Sequence, residues 1–154
     1  IKFFGPRYHL TGKYQGGRAV CMDCDSQRQL ESVYKTPKNY ISRAARDMRS
    51  RVKKHGLTLD ESVSIDFLVS LFEEQNGLCA LSGLPMTWMH EGLSSNHGSR
   101  RGTNISIDRI NSEAGYSPEN VRLVCDRVNK MKSNMSDGDL YFWSALLVRE
   151  FQNN

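Results

Sequence analysis

The chain has 154 residues, enough for one domain or for a small module joined to one, and its 38% hydrophobic and 25% charged residues fit an ordinary globular protein. No apolar run approaches the roughly 20 residues of a membrane-spanning helix; Ala145-Leu146-Leu147-Val148 is among the longest, so no membrane partner is expected. The net charge of +4 is mild but unevenly spread: residues 1 to 54 hold 13 Lys and Arg against 4 Asp and Glu, and the remainder holds 8 against 13.

A basic part joined to a mildly acidic part is the pattern of a polyanion-binding arm on a catalytic or regulatory body. A solvated basic helix with no partner carries the same charge pattern. Residues 1 to 20 are aromatic, basic and Gly-rich, with Gly5-Pro6, Gly12 and Gly16-Gly17 as turn signals, and read as loop and short hairpin. The start, Ile1-Lys2-Phe3-Phe4-Gly5, has neither an initiator Met nor a signal-peptide core, so residues upstream of Ile1 are expected. Cys21-Met22-Asp23-Cys24 has the spacing of half a zinc knuckle, with His9 the nearby ligand type. A structural Zn2+ and two ordinary reduced thiols are both open there. Four cysteines, at 21, 24, 79 and 125, are too few for a disulfide scaffold of this length and indicate a reducing, intracellular compartment.

Pro37 can open a helix running to about Lys54 and stopped by Gly56. Tyr40, Ile41, Ala44, Ala45, Met48 and Val52 fall on it at helical spacing, among Lys38, Arg43, Arg46, Arg49, Arg51, Lys53 and Lys54. A second helix is predicted from Ser64 to Asn76, with Ile65, Leu68, Val69 and Phe72 on one face and Gly77 as its cap. Residues 78 to 103 read as irregular, with a knuckle-like turn at Cys79-Ala80-Leu81-Ser82-Gly83 and a mobile loop from Ser94 to Gly102. Asn104 to Ile110 alternates as a strand, 111–120 is a loop, and Val121 to Val124 is a second strand. A short helix follows from Asp126 to about Ser133. Ser136 and Asp139 form a capping-box pattern opening a last helix, whose Leu140, Trp143, Leu147 and Phe151 read as a core face.

Polar residues stand at fixed places in the strand–loop–strand–helix stretch. A carboxylate ending one strand, Asp108, and an amide on the following helix, Asn129, can meet on one side of such a hairpin. A hard divalent cation needs only one or two such oxygens, with water and phosphate completing its shell. Asn120 can hold the loop through backbone hydrogen bonds. Lys132 lies one helical turn from Asn129, placed to meet a phosphate. A plain surface ion pair at Asp108-Arg109 is the alternative.

The stretch 77–135 resembles the HNH (ββα-metal, His-Me finger) endonucleases. The likeness rests on Ser106-Ile107-Asp108-Arg109-Ile110-Asn111, on Gly115-Tyr116-Ser117-Pro118-Glu119-Asn120-Val121-Arg122-Leu123-Val124-Cys125, and on Val128-Asn129-Lys130-Met131-Lys132-Ser133-Asn134. It is similar to phage and bacterial members, and above all to rare-cutting restriction enzymes with Asp-Arg in place of Asp-His. The resemblance implies that Asp108 and Asn129 ligate one Mg2+ or Mn2+, that Asn120 braces the loop, and that Lys132 and Arg122 contact phosphate. It also implies a departure, because the residue that takes a proton from the attacking water is Arg109 here. A guanidinium stays protonated and is a poor base, though it suits bidentate clamping of a phosphate. His90, His97 and Tyr116 are the remaining candidates for the base, and His90 and His97 read equally well as ordinary loop histidines. Related proteins carry two further Cys-x-x-Cys pairs around a zinc. Here these are Cys79…Ser82 and Cys125…Val128, each reduced to one thiol, so no zinc is expected there and the two thiols should lie close together.

The expected protein is therefore α+β: a basic arm over 1–56 and a nuclease domain over 57–154 with a ββα core at about 104–134. The expected function is metal-dependent DNA endonuclease, homing- or restriction-like. A catalytically inactive DNA-binding module on the same scaffold is the alternative. Arg43, Arg46, Arg49, Lys53, Lys54 and the Arg100-Arg101 loop would contact double-stranded DNA. One site cuts one strand, so double-strand cutting would call for a homodimer. The compartment expected from the likeness is a bacterial or phage-infected cytoplasm.

Overall fold

The computed structural model describes residues 32–91, 99–100 and 102–153. Cys21, Cys24, His9, His97 and Arg101 lie outside them, and so does most of the loop expected from Ser94 to Gly102. The described elements follow the chain as α1 (Pro37–His55), α2 (Ile65–Glu74), a minimal hairpin of β1 (His90–Glu91) and β2 (Ser99–Arg100), β3 (Ile105–Arg109), a 3-10 turn (Pro118–Asn120), β4 (Val121–Cys125), α3 (Asp126–Lys132) and α4 (Asp137–Asn153).

Local chemistry accounts for the helix ends. The Thr36 hydroxyl accepts the amide of Asn39 at 3.2 Å, Pro37 takes the first turn, and Gly56 closes α1 in the left-handed region with φ 63°. The Ser64 hydroxyl caps α2 by accepting from the amide of Phe67 at 3.1 Å. The α2 chain leaves the helix through two left-handed residues, Asn76 and Gly77, with the Gly77 amide donating back to the Phe72 carbonyl at 2.9 Å. The Ser136–Asp139 box is reciprocal as read from the sequence: Asp139 N–H donates to Ser136 Oγ at 3.1 Å, and Ser136 N–H to Asp139 Oδ2 at 3.3 Å.

β3 and β4 pair antiparallel, with Ile105 opposite Cys125, Ile107 opposite Leu123 and Asp108 opposite Arg122. Because strand side chains alternate faces, β3 is divided in two. Ile105 and Ile107 join Leu123, Leu68, Ile41 and Met48 in one hydrophobic core. Ser106 and Asp108 turn to the other face, where α3 lies. That division puts the polar residues of the hairpin under a helix rather than in the core.

Tyr40, Ile41, Ala45 and Met48 of α1 bury in the same core as the hairpin. One expectation changes, the apolar face of the last helix. Only Leu140 of the expected stripe is buried, while Trp143, Leu147 and Phe151 are 56%, 69% and 85% exposed. The reason is attachment. α4 is tied down at its first turns, by Asp137 on Arg122, by Leu140, and by Tyr141 Oη donating to the Leu81 carbonyl at 2.9 Å. Beyond them Ser144 and Leu146 are partly buried and the other residues of the helix are exposed.

The stretch read as irregular is organised by pairing to its flanks. Cys79 accepts the Gly83 amide at its carbonyl at 2.9 Å, closing the knuckle, and Gly83 is left-handed with φ 67°. The fully buried Asn104 ties residues 87–89 to the start of β3: its Oδ1 accepts from Thr87 Oγ1 at 2.7 Å and from Met89 N–H at 3.1 Å, while its Nδ2 donates to the Met89 carbonyl. The two buried thiols meet at the knuckle, with Cys125 N–H donating to Cys79 Sγ at 3.2 Å. Burial pushes the Cys79 thiol up, but the Ser82 hydroxyl and the amides of Cys125, Ser82 and Leu81 outweigh it and leave Cys79 below the usual range. Burial, with Cys79 beside it, raises Cys125 to about 11.

Candidate active site

The unit β3–loop–β4–α3 carries the site. Residues 110–120 must return the chain within a few residues, and Asn120 is what holds them. Its Nδ2 donates to the carbonyls of Asn111 at 3.0 Å and Gly115 at 2.7 Å, and its Oδ1 accepts the Asn111 amide at 2.8 Å. The loop is also pinned from outside. Tyr116 N–H donates to the Thr58 carbonyl at 2.9 Å and its carbonyl accepts from Asp60 N–H at 2.8 Å. Gly115 sits so close to Thr58 that a Cβ there would run into the Thr58 hydroxyl and carbonyl. The glycine is required by close approach, not by its turn conformation.

Asp108 is 3% exposed and is the hub of an ion-pair chain. Its Oδ2 accepts from Arg122 Nε at 2.9 Å, and its Oδ1 from Lys132 Nζ at 3.3 Å. Arg122 in turn grips both oxygens of Asp137, at 2.7 and 2.5 Å. The Arg122 guanidinium, its main partner, holds the Asp137 carboxyl below the usual carboxylate range, and Arg122 is raised in return. Lys132 is completely buried and also donates to the Arg109 carbonyl at 2.8 Å. Arg122 and Lys132, read from the sequence as phosphate contacts, are thus committed to carboxylates and backbone. The partly buried Arg122 and the buried Lys132 are matched by two carboxylates, Asp108 and Asp137, which explains why both cations turn inward.

Around this hub opens a cavity of about 470 Å3, lined by Ser106, Asp108, Arg109, Tyr116, Asp126, Asn129 and Lys130 from the unit itself, and by Arg51 from α1. Asn129 points Nδ2 at β3, donating to Ser106 Oγ at 2.8 Å and the Ile107 carbonyl at 3.2 Å. Its Oδ1 receives no donor among the described residues. Arg109 is half-buried. One N–H is given to the Ala114 carbonyl at 2.8 Å, and the guanidinium lies 5.3 Å from the centre of the Tyr116 ring, within cation–π reach. That leaves most of its five donors free. Asp126, which the sequence reading did not single out, lines the same cavity and pairs with Lys130 at 2.7 Å.

The structure therefore brings Asp108, Arg109, Asn129 and Tyr116 to one cavity, places Asn120 beneath the loop, and takes Lys132 and Arg122 inward. His90 and Arg100 pair opposite one another on β1 and β2. On α1, Arg46, Arg49, Lys53 and Lys54 are exposed. Arg43 is half-buried and donates to Tyr34 Oη at 2.6 Å. Arg51, placed on this helix from the sequence but not among the expected DNA contacts, lines the cavity. A signal was present, since it follows Met48 by three residues and so falls at the edge of the apolar stripe.

Could a divalent ion be held here? Asp108 keeps acceptor capacity, because a carboxylate offers about four lone-pair positions and two described donors reach it. The free Oδ1 of Asn129 is a second hard oxygen. Two such ligands fit Mg2+ or Mn2+, which take their remaining positions from water and phosphate oxygens. Among the described residues no cluster of three or more His, Cys, Asp or Glu could hold a metal unaided.

No protein-family model matches the chain, and no curated protein does. A solved structure of similar fold is that of PacI, a rare-cutting HNH restriction endonuclease whose structure shows a mechanism of DNA perturbation. The two share 19% identity over 88% of this chain and 92% of that one, with a TM-score of 0.52. The likeness establishes an HNH-like fold.

Proposed function

We propose that the protein is a metal-dependent DNA endonuclease of the HNH kind. The observation that carries the reading is the convergence of Asp108, Arg109 and Asn129 in one cavity, on a hairpin and helix that Asn120 and the Asp108 ion pairs hold in shape. Asp108 and Asn129 Oδ1 would hold the ion. When bound, such an ion stabilises charge on the phosphate and on the leaving oxygen and lowers the pKa of the attacking water. Arg109 orients the scissile phosphate with the donors it does not give to Ala114. The Tyr116 ring and the Ala114 carbonyl fix the direction in which that fork points. Preorganised donors of this kind act without reorganisation at the moment of reaction. The exposed face of α1 with Arg46, Arg49, Lys53 and Lys54 supplies sequence-independent affinity for duplex phosphates. Of the residues considered for activating water, Tyr116 lines the cavity.

A second reading has its own observation. Asp108 and Asn129 both have structural partners, Arg122 and Lys132 for the one, Ser106 and Ile107 for the other. A DNA-binding scaffold without catalysis would keep them for that reason alone. Plasmid nicking with Mg2+ or Mn2+, against the same reaction in chelator, separates the two. The nuclease reading expects metal-dependent conversion of supercoiled to open-circular or linear DNA, lost in Asn129→Ala with DNA binding retained. Asp108→Asn, which keeps the shape of the hub, should lose cleavage too. Retarded DNA mobility with no cleavage in either metal would establish the second reading.

A further inference from the structure

We propose that Arg51, on α1 and outside the strand–strand–helix unit, is a catalytic residue that contacts the phosphate being cleaved; the inference rests on the nuclease reading above. The placement follows from helix geometry. Successive residues advance by 100°, so Arg51, three beyond Met48 and eleven beyond Tyr40, sits at the border of the stripe that α1 buries against β3. Met48 and Tyr40 are 0% and 3% exposed. Arg46 and Lys53 fall on the opposite side of the helix. Arg51 is accordingly the α1 cation that reaches the cavity holding Asp108, Arg109 and Asn129.

Charge makes the placement matter. Of the cations at the site, Arg122 is held by Asp108 and Asp137, Lys132 by Asp108 and the Arg109 carbonyl, and Lys130 by Asp126. Arg109 is free of carboxylates but spends a donor on Ala114. Arg51 makes no hydrogen bond or ion pair among the described residues, and it is exposed at the cavity wall. A phosphodiester entering this cavity meets two carboxylates, Asp108 and Asp126, and two guanidinium groups that no described carboxylate holds, Arg109 and Arg51. The five-coordinate phosphorus of in-line hydrolysis carries more negative charge than the diester, so a second guanidinium there is worth more in the transition state than in the bound substrate.

The test is single-turnover cleavage of supercoiled plasmid with enzyme titrated to saturation, in Mn2+ or Mg2+. Arg51→Ala should lower the saturated rate by about 10²-fold, the scale of losing one transition-state charge partner, and change the apparent Kd by less than about threefold. Arg46→Ala, on the outward face, should show its loss in Kd. Arg51→Lys should recover part of the rate, and millimolar guanidinium should partly rescue Arg51→Ala. Matching melting curves establish that the variants fold. If Arg51→Ala keeps the wild-type saturated rate, or raises Kd alone, Arg51 is at most a backbone contact and the inference falls while the nuclease reading stands. Absence of metal-dependent cleavage by the wild-type protein would overturn both.

Discussion

α1 and α4 have similar lengths, α4 is the more apolar of the two, and from the sequence both present a stripe for burial. The structure treats them oppositely. α1 packs Tyr40, Ile41, Ala45 and Met48 into the core between α2 and β3, whereas α4 buries Leu140 and leaves Tyr141, Phe142, Trp143, Leu147, Val148 and Phe151 more than half exposed. The difference lies in where each helix is attached. α1 packs against both α2 and β3, and the chain after it returns to bind the 115–116 loop through Thr58 and Asp60. α4 is held at one end by an ion pair, a single buried leucine and the Tyr141 hydroxyl. Periodicity tells which face of a helix would be buried. It does not tell whether anything faces it.

The largest effect separating the two helices should come from truncating equivalent apolar residues. Met48→Ala empties a site that is 0% exposed and should cost about 2–5 kcal/mol, the range for large-to-small core changes. Leu147→Ala removes a side chain that is 69% exposed and should fall within about 0.5 kcal/mol. Urea unfolding of both variants checks the pair. A loss at Leu147 comparable to that at Met48, growing with protein concentration, would show that α4 is covered in solution and that the contrast belongs to the isolated chain.

Much of the site was legible because it is local in sequence. Asp108, Asn120 and Asn129 lie within 22 residues of one another, and a strand, a tight loop and a short helix bring such spacings together with few alternatives. The helix ends at Gly56, Gly77 and Ser136 were legible for the same reason, since each cap depends on its immediate neighbours. What depended on register or on packing between distant elements was not. Arg122 looked like a surface cation until strand pairing set it opposite Asp108, and Lys132 until α3 closed over β3. Arg51 joins the cavity from 57 residues upstream of Asp108; periodicity puts it at the edge of the apolar stripe but does not tell what that edge faces. The same limit hid Asp126, whose carboxylate opens α3 while also lining the cavity.

A smaller effect should come from the anchor of α4. The Asp137 carboxyl is held low by Arg122, so its sign is fixed. A carboxylate with a depressed folded pKa contributes stability that is fully present above its unfolded pKa of roughly 3.9 and is lost as the pH falls through the folded value. Asp137 is about one-third exposed, and screening reduces what the pair is worth. Asp137→Asn should therefore cost about 1 kcal/mol at pH 7, and wild type and variant should converge in strongly acidic solution, below the folded pKa. Stability measured across that window decides the matter. An equal difference at neutral and acidic pH would mean that the loss comes from shape rather than charge, and that α4 is anchored by Leu140 and Tyr141 alone.

The smallest difference, and the one that most sharpens the contrast, should appear at the two N-caps. Thr36 and Ser136 each accept an amide three residues on, from Asn39 at 3.2 Å and Asp139 at 3.1 Å. As isolated interactions they are equivalent, and removing either should cost its helix about 0.5–1 kcal/mol. What differs is how far the cost travels. α1 is part of the core, so it cannot fray without exposing Met48 and Ile41, and Thr36→Ala should lower global stability by the full amount. α4 beyond Leu140 has little to lose by opening. Ser136→Ala should leave the global unfolding midpoint nearly unchanged and appear as faster amide hydrogen exchange confined to α4, the behaviour of a unit that opens by itself. Should Ser136→Ala shift the global midpoint as much as Thr36→Ala, α4 would have to unfold together with the core, and the attachment at Asp137, Leu140 and Tyr141 would be enough to couple the whole helix to the site.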